Sequence, residues 1–356
     1  MNVVAATAAY ESWAQKRIGL VAADVALKHQ RMREGAFPFM RATFYRWAAI
    51  WPEACPELLA APKLLAVGDL HAENFGTWRD SEGRLVWGIN DFDEADTMPY
   101  AIDLVRLATS ALLAGRDKTL SIKPRDAAAA ILKGYRETIT SGSGAPFVLE
   151  EEHPELRAMA LGEERDPVRF WAKLNGQRTA TPPARVRAIL QPSLPLHDGT
   201  PRFVHRIAGL GSLGRARYVA IADASGGLVA REAKAMLPSA YGWACGTRGE
   251  RLSYMAILKH ASRACDPFVA VEKGWLLRRL APHCTRIELN EVPRRKDEWL
   301  LLEAMGRETA NIHLGSRAVL AAVRRDLKKR PKNWLFDAST RMADATMEDW
   351  KAWRAA

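Results

Sequence analysis

GDLHAENFG (residues 68–76) and INDFDEAD (residues 89–96) decide how this chain is read, because each sets carboxylates on a turn that follows a short apolar run. KLLAVG (63–68) and RLVWGIN (84–90) are apolar, of strand length and bounded by turn residues. The SEG at 81–83 between them predicts a hairpin. Asp69 leaves the first strand directly, with His71 two residues on and Asn74 five, an offset that turns a carboxylate and a carboxamide of one loop toward a common point. Asp91 and Asp93 leave the second strand in the same way. Mg²⁺ prefers oxygen ligands, rarely uses an all-protein cage and keeps places for water and phosphate. A loop Asp that orients a hydroxyl, an Asn five residues later and an Asp on a second loop are the parts of a phosphoryl-transfer site. On this reading Asp69 and His71 are the catalytic candidates, and Asn74, Asp91 and Asp93 are the candidate metal ligands. The plainer alternative is that Asp69 and Asp91 cap turns or helices. His71 suits a hydrogen bond that holds its loop more than it suits catalysis.

GLGSLG (209–214) carries the GxGxxG spacing at Gly209, Gly211 and Gly214. Alone such a run usually marks a bend. A dinucleotide fingerprint passes from strand into helix, whereas ARYVAI (216–221) continues with strand alternation, so this loop joins two strands. That is the arrangement which covers ATP phosphates in kinases, with Gly209, Gly211, Ser212 and Gly214 as the contacts. After the SGG turn at 225–227, LVAREAK (228–234) offers a cation from a third strand, either Arg231 or Lys234. The two point to opposite faces of a regular strand. A compact ammonium favours Lys234, while Arg231 could bind bidentately. Glu250 is the candidate partner for that cation, a surface salt bridge being the alternative.

The chain has 356 residues, 48% hydrophobic and 26% charged, the profile of a packed protein with a sizeable core. Glu11, Lys16, Arg17 and Asp24 interrupt the apolar pattern of the first residues, so neither a signal peptide nor a membrane span is expected and a cytoplasmic protein is. Cys55, Cys245, Cys265 and Cys284 form no CxxC pair and read as buried free thiols. The net charge of +11 raises nucleic-acid binding, yet Lys and Arg are spread along the chain, and the densest run, RRDLKKRPK (324–332), reads as a solvated helix end.

Apolar spacing predicts helix up to about residue 60, over PYAIDLVRLATSALLAG (99–115), over 124–140 and through most of 150–190, with SGSGAP as a break. Residues 202–236 predict a small antiparallel sheet, followed by helix in RGERLSYMAILKHASRA (248–264) and strands in WLLRRLAP and RIELNEV. Helix returns at DEWLLLEAMGRETANIHLG (297–315), then to about 330, with a short terminal helix.

GDLHAEN with INDFDEADTMPYAIDL resembles the motifs of aminoglycoside phosphotransferase-like and other protein-kinase-like enzymes. GDLHAENFG, INDFDEADTMPYAIDLVRLATS, GLGSLGRARYVAI, WLLRRL and NIHLGS more closely resemble the bacterial domain of unknown function family 2252, over roughly residues 28–315. The resemblance implies that Asp69 is the catalytic base, that Asn74 and Asp91 hold metal with Asp93 as a further ligand, and that Asp103 braces the fold. Val67 stands where the kinase-like motif has His. The implied fold is α+β, protein-kinase-like and two-lobed, with a small antiparallel sheet lobe and a larger helical lobe. Because the glycine loop follows the catalytic and metal loops, the order is that of a circular permutation. The expected divisions are a helical segment at 1–62, the carboxylate loops with a helical lobe at 63–195, a nucleotide-binding sheet lobe at 196–290 and returning helices at 291–356. The expected activity is ATP- and Mg²⁺-dependent phosphoryl transfer to a hydroxyl acceptor. The alternatives are a nucleotide-binding regulator of kinase-like fold and a metallophosphoesterase, to which GDLH also has a likeness.

Overall fold

The apolar spacing of the first 54 residues folds as four helices, α1 (Val3–Ile18), α2 (Ala22–Met32), α3 (Ala36–Ala42) and α4 (Phe44–Ala54). Asn2 caps α1 by accepting the Ala5 N–H at 2.9 Å. The structure, a computed structural model, describes residues 1–150, 152–160, 166–195, 200–247, 251–284 and 295–356. Next come β1 (Lys63–Ala66), β2 (Phe75–Arg79), β3 (Leu85–Ile89), β4 (Asp96–Pro99), α5 (Ala101–Arg116), α6 (Pro124–Ser141) and β5 (Phe147–Val148). Three short helices, α7 (Pro154–Ala160), α8 (Pro167–Asn175) and α9 (Ala184–Leu190), lead to β6 (Arg202–His205), β7 (Arg217–Ala224) and β8 (Gly227–Ala235). Then follow α10 (Ala240–Ala244), α11 (Tyr254–His260), β9 (Ala270–Glu272), β10 (Trp275–Leu280), α12 (Arg295–His313), α13 (Leu320–Lys329) and α14 (Trp334–Ala355).

α5 is buried along nearly its whole length, mostly by apolar side chains with Asp103 and Arg106 sealed among them, which makes it the axis of the helical part. Around it lie α6, α12 and α14, and the same core takes in Phe44, Tyr45, Trp47 and Trp51 of α4. Gly134 and Gly306 let α6 and α12 pack closely, since a Cβ on Gly306 would stand 2.1 Å from the Ile131 carbonyl oxygen.

The two apolar runs that open the carboxylate turns do not pair with each other. β1 pairs with β4, whereas β3 pairs with β2, and β5 extends that second sheet. FGTWR, between the two runs, is itself a strand, so the expected hairpin forms one strand later, around the turn at 80–84.

The larger sheet is antiparallel in the order β6-β7-β8-β10-β9. Side-chain alternation gives its two faces different covers. Ala220, Ala222, Ala233 and Ala235 pack under α9, while Val219, Ile221, Ala230 and Leu280 pack under α8. Along that second face the apolar pairs Ile221–Ala230 and Ala230–Leu280 give way to Arg217–Lys234 and Glu232–Arg278. The charged end of this face is where the sheet meets the carboxylate turns.

Several expectations change. α14, expected to be short, runs over 22 residues and closes the helical core. α11 begins only at Tyr254, while α10, β5 and β9 carried too few residues for a periodic signal. RIELNEV lies outside the described residues. Cys55 is buried, but Cys245 and Cys265 are exposed. Among the described residues no helix is long and apolar enough to cross a membrane.

Candidate active site

The turn after β1 is held from below by Asp103 on the first turn of α5. Its carboxylate accepts the Val67 and Gly68 N–H groups at 2.7 and 2.8 Å. His313 on α12 contacts the same carboxylate at 2.9 Å through Nε2, and Tyr135 holds the other ring nitrogen. All three side chains are buried. Gly68 has φ +87°, and a Cβ there would lie 2.5 Å from the Glu94 carbonyl oxygen, so the first carboxylate turn meets the second where only glycine fits.

Asp69 leaves this turn toward a buried guanidinium. Arg106 of α5 donates to its Oδ1 from Nε at 3.0 Å and Nη2 at 2.5 Å, and to the Met40 carbonyl at 2.7 Å. The Phe44 and Trp47 rings flank that guanidinium at 5.3 and 5.1 Å. Burial lowers the pKa of Arg106, against the opposing pull of Asp69. Asn74 closes the loop by donating from Nδ2 to the Asp69 carbonyl. His71 accepts the Glu73 N–H on Nδ1 at 3.2 Å, stands edge-on to Phe37 and also lines the cavity.

On the second turn, Asp91 and Asp93 part company. Asp91 shows about a third of its side chain to the cavity and accepts the Asp93 N–H on Oδ1 at 3.2 Å. Its pKa is raised, first by its deep setting and then by the neighbouring Asp93 charge. Asp93 is enclosed: Lys234 donates to both of its oxygens at 2.6 Å, and Arg215 donates at 3.1 Å. Burial alone would raise the Asp93 pKa, but Lys234 and Arg215 hold it well below the usual carboxylate range. Arg215 also donates to Glu94 at 2.8 Å, and Glu94 accepts the Ala240 N–H at 2.6 Å. Asp93, expected as a metal ligand, therefore has its oxygens committed to an ion-pair network. Asp91 and Asn74 remain as oxygen donors at the cavity wall.

The glycine loop spans β6 and β7 as the strand–loop–strand pattern requires. Gly209 and Gly214 have φ +72° and +96°, and Gly211 faces the first carboxylate turn. A Cβ on Gly211 would lie 2.9 Å from the Arg41 carbonyl oxygen and 3.3 Å from Asp69 Oδ2. Ser212 accepts a hydrogen bond from Arg217 at 2.7 Å. The loop is not a free lid: Leu210 and Leu213 are buried with Val3, Met32, Phe39 and Ala42, and Val21 donates its N–H to the Gly214 carbonyl at 2.8 Å.

The two candidate cations on β8 do lie on opposite faces. Lys234 reaches the Asp91–Asp93 turn, whereas Arg231 stacks over Phe268 at 4.4 Å on the other face and does not line the cavity. Glu250 lies outside the described residues. A single cavity of about 940 Å³ is lined by Asp69, Asn74, Asp91, Gly209, Gly211 and Arg278, among others. Among the described residues, no three His, Cys, Asp or Glu side chains converge to hold a metal ion by themselves.

The arginines that surround the site were missed: Arg106 on α5, and Arg206, Arg215, Arg217 and Arg278 around the sheet. Arg215, Arg217 and Arg278 stand as charges in otherwise apolar strand sequence, in RARY and LLRRL, and Arg106 as a lone cation within the apolar run of α5.

Residues 20–173 match the model of a family described as an uncharacterized protein conserved in bacteria, domain of unknown function 2252. That span contains both carboxylate turns and Asp103 and ends before the glycine loop, so it is shorter than the likeness of the scattered motifs implied. No curated protein and no solved structure matches the chain.

Proposed function

We propose that this chain is an ATP- and Mg²⁺-dependent phosphotransferase acting on a hydroxyl-bearing acceptor, with a protein-kinase-like site built in permuted order. The observation that carries the reading is the meeting of remote segments. The glycine loop at 209–214 lies against Asp69, and β8 sends Lys234 to the Asp91–Asp93 turn, with one cavity between them.

The donor set fits magnesium. Asn74 and Asp91 would hold the ion from the cavity wall through their oxygens, leaving places for water and phosphate as Mg²⁺ prefers. When bound, the ion would offset charge on the transferring phosphates. Asp69 would orient the acceptor hydroxyl and take its proton, its carboxylate aimed by the two Arg106 hydrogen bonds. Gly211 brings the glycine loop against that carboxylate, a Cβ there lying 3.3 Å from Asp69 Oδ2, so loop and carboxylate share one wall of the cavity where a phosphate and an acceptor would meet. Positioning and fixed charge would supply most of the acceleration. A two-metal phosphoesterase needs more converging His and carboxylate ligands than the described residues bring together.

The test is loss of the γ-phosphate of labelled ATP across pools of hydroxyl acceptors, with Asp69→Asn and Asp91→Ala alongside. We expect Mg²⁺-dependent transfer that drops by at least about 10³-fold in each variant. Full activity in Asp91→Ala would refute the metal assignment. ATP binding without any transfer would make the protein a nucleotide-binding regulator instead.

A further inference from the structure

Glu232 sits in the middle of β8 with no exposed side-chain surface, and three guanidiniums close on it. Arg206 donates to Oε2 at 2.6 Å, while Arg217 and Arg278 donate to Oε1 at 3.0 and 2.7 Å. Burial would push the Glu232 pKa up, but Arg217, Arg278 and Arg206 hold it well below its usual value. Three guanidiniums thus share the Glu232 carboxylate, with Asp91 the other carboxylate acting on Arg278. All three arginines line the cavity, and Arg206 and Arg278 keep 27% and 23% of their side chains exposed there. Lys234 is the opposite case: its side chain is 1% exposed, it does not line the cavity, and its ammonium is committed to Asp93.

We propose that Arg206, Arg217 and Arg278, gathered on Glu232, form the phosphate-binding wall of the cavity, and that Lys234 is a strut of the Asp91–Asp93 turn rather than a phosphate ligand. The inference rests on the functional reading above only in expecting a ligand that brings phosphate groups. Arg206 and Arg278 each spend one nitrogen on Glu232, and the remaining N–H groups make no hydrogen bond among the described residues. A planar guanidinium held on one edge presents the other edge to phosphate oxygens, the geometry in which arginine binds phosphate bidentately. Arg217 is nearly sealed, and its Nη2 reaches Ser212, so it links the wall to the glycine loop. A phosphate drawing on Arg206 and Arg278 would therefore share the cavity with Asp69, on the side where Arg217 meets the glycine loop.

Calorimetric titration of the full chain with tripolyphosphate, and separately with a non-hydrolysable ATP analogue plus Mg²⁺, tests this. The double variant Arg206→Gln/Arg278→Gln still leaves Glu232 its Arg217 partner, and its fold is checked by circular dichroism; Arg185→Gln, exposed on α9, is the charge control. We expect tripolyphosphate affinity to fall by about 100-fold in the double variant and to hold in Arg185→Gln and in folded Lys234→Met. Unchanged affinity in the double variant, selective loss in folded Lys234→Met, or no tripolyphosphate binding by the parent protein would each overturn the proposal. Tripolyphosphate binding lost in the double variant, without binding of the ATP analogue, would uphold the wall and reject the nucleotide, pointing to a phosphorylated acceptor. Analogue binding at full strength in the double variant would keep the nucleotide and reject the wall.

Discussion

Replacing Lys234 with Met removes an ammonium of 1% exposure from between the two oxygens of Asp93 and leaves that carboxylate with Arg215 alone. Breaking a buried ion pair by deleting one partner costs about 3–5 kcal/mol, because the other charge stays behind in the interior. Two features reduce the figure here. Arg215 keeps its own hydrogen bond to Asp93, and burial lowers the Lys234 pKa despite Asp91 and Asp93, so the ammonium itself is held at a cost that the variant recovers. We therefore expect a loss of about 2–3 kcal/mol at pH 7. The pH dependence follows from Asp93, whose folded pKa lies below its unfolded value of about 3.9. A depressed carboxylate contributes fully above the unfolded pKa and loses its contribution as pH falls toward the folded one. In the variant most of that depression is gone, so the stability gap should narrow as the pH is lowered from about 5 to 2. Urea unfolding followed by fluorescence of the 12 tryptophans reads both effects. An unchanged urea midpoint at pH 7, or a gap that stays constant down to acid pH, would show that the Lys234–Asp93 pair does not hold the turn.

Asp103→Ala should cost about 3–5 kcal/mol in the same assay, since it strands the buried Val67 and Gly68 N–H groups together with His313; Asp103→Asn, which keeps one acceptor, should cost less. Leu213→Ala should destabilise by about 2–4 kcal/mol and make the 206–216 segment an early cleavage site in limited proteolysis, because the loop is anchored by its leucines. Arg106→Met should cut turnover by about 10²-fold with little change in nucleotide KM, as Asp69 loses its two orienting hydrogen bonds while the phosphate side of the cavity is untouched.

The parts of the site that depend on local order were legible in the sequence. Asp69, Asn74 and Asp91 stand on turns after apolar runs, and the GLGSLG loop does join two strands, because turn chemistry and strand alternation act over a few residues. The opposite directions of Arg231 and Lys234 followed from the same alternation. What was not legible depends on packing between distant segments. Nothing near Asp93 in the chain tells that Lys234 and Arg215 will neutralise it, 141 and 122 residues away. The pairing of β1 with β4 rather than within a hairpin was hidden by FGTWR, a strand whose Gly76 and Arg79 mask its alternation. α14 looked short because its apolar residues are interleaved with exposed charges; packing against α5 and α4, and of Trp353 at its end among Val3, Met32 and Phe39, supports it as helix.

The most direct measurement is a crystal structure of the chain with a non-hydrolysable ATP analogue and Mg²⁺. Our account predicts magnesium held by Asp91 and Asn74, with the nucleotide phosphates in the same cavity near the Gly209–Gly214 loop and within reach of Arg206 and Arg278. A nucleotide bound outside that cavity, or phosphates turned away from Asp91, would contradict it.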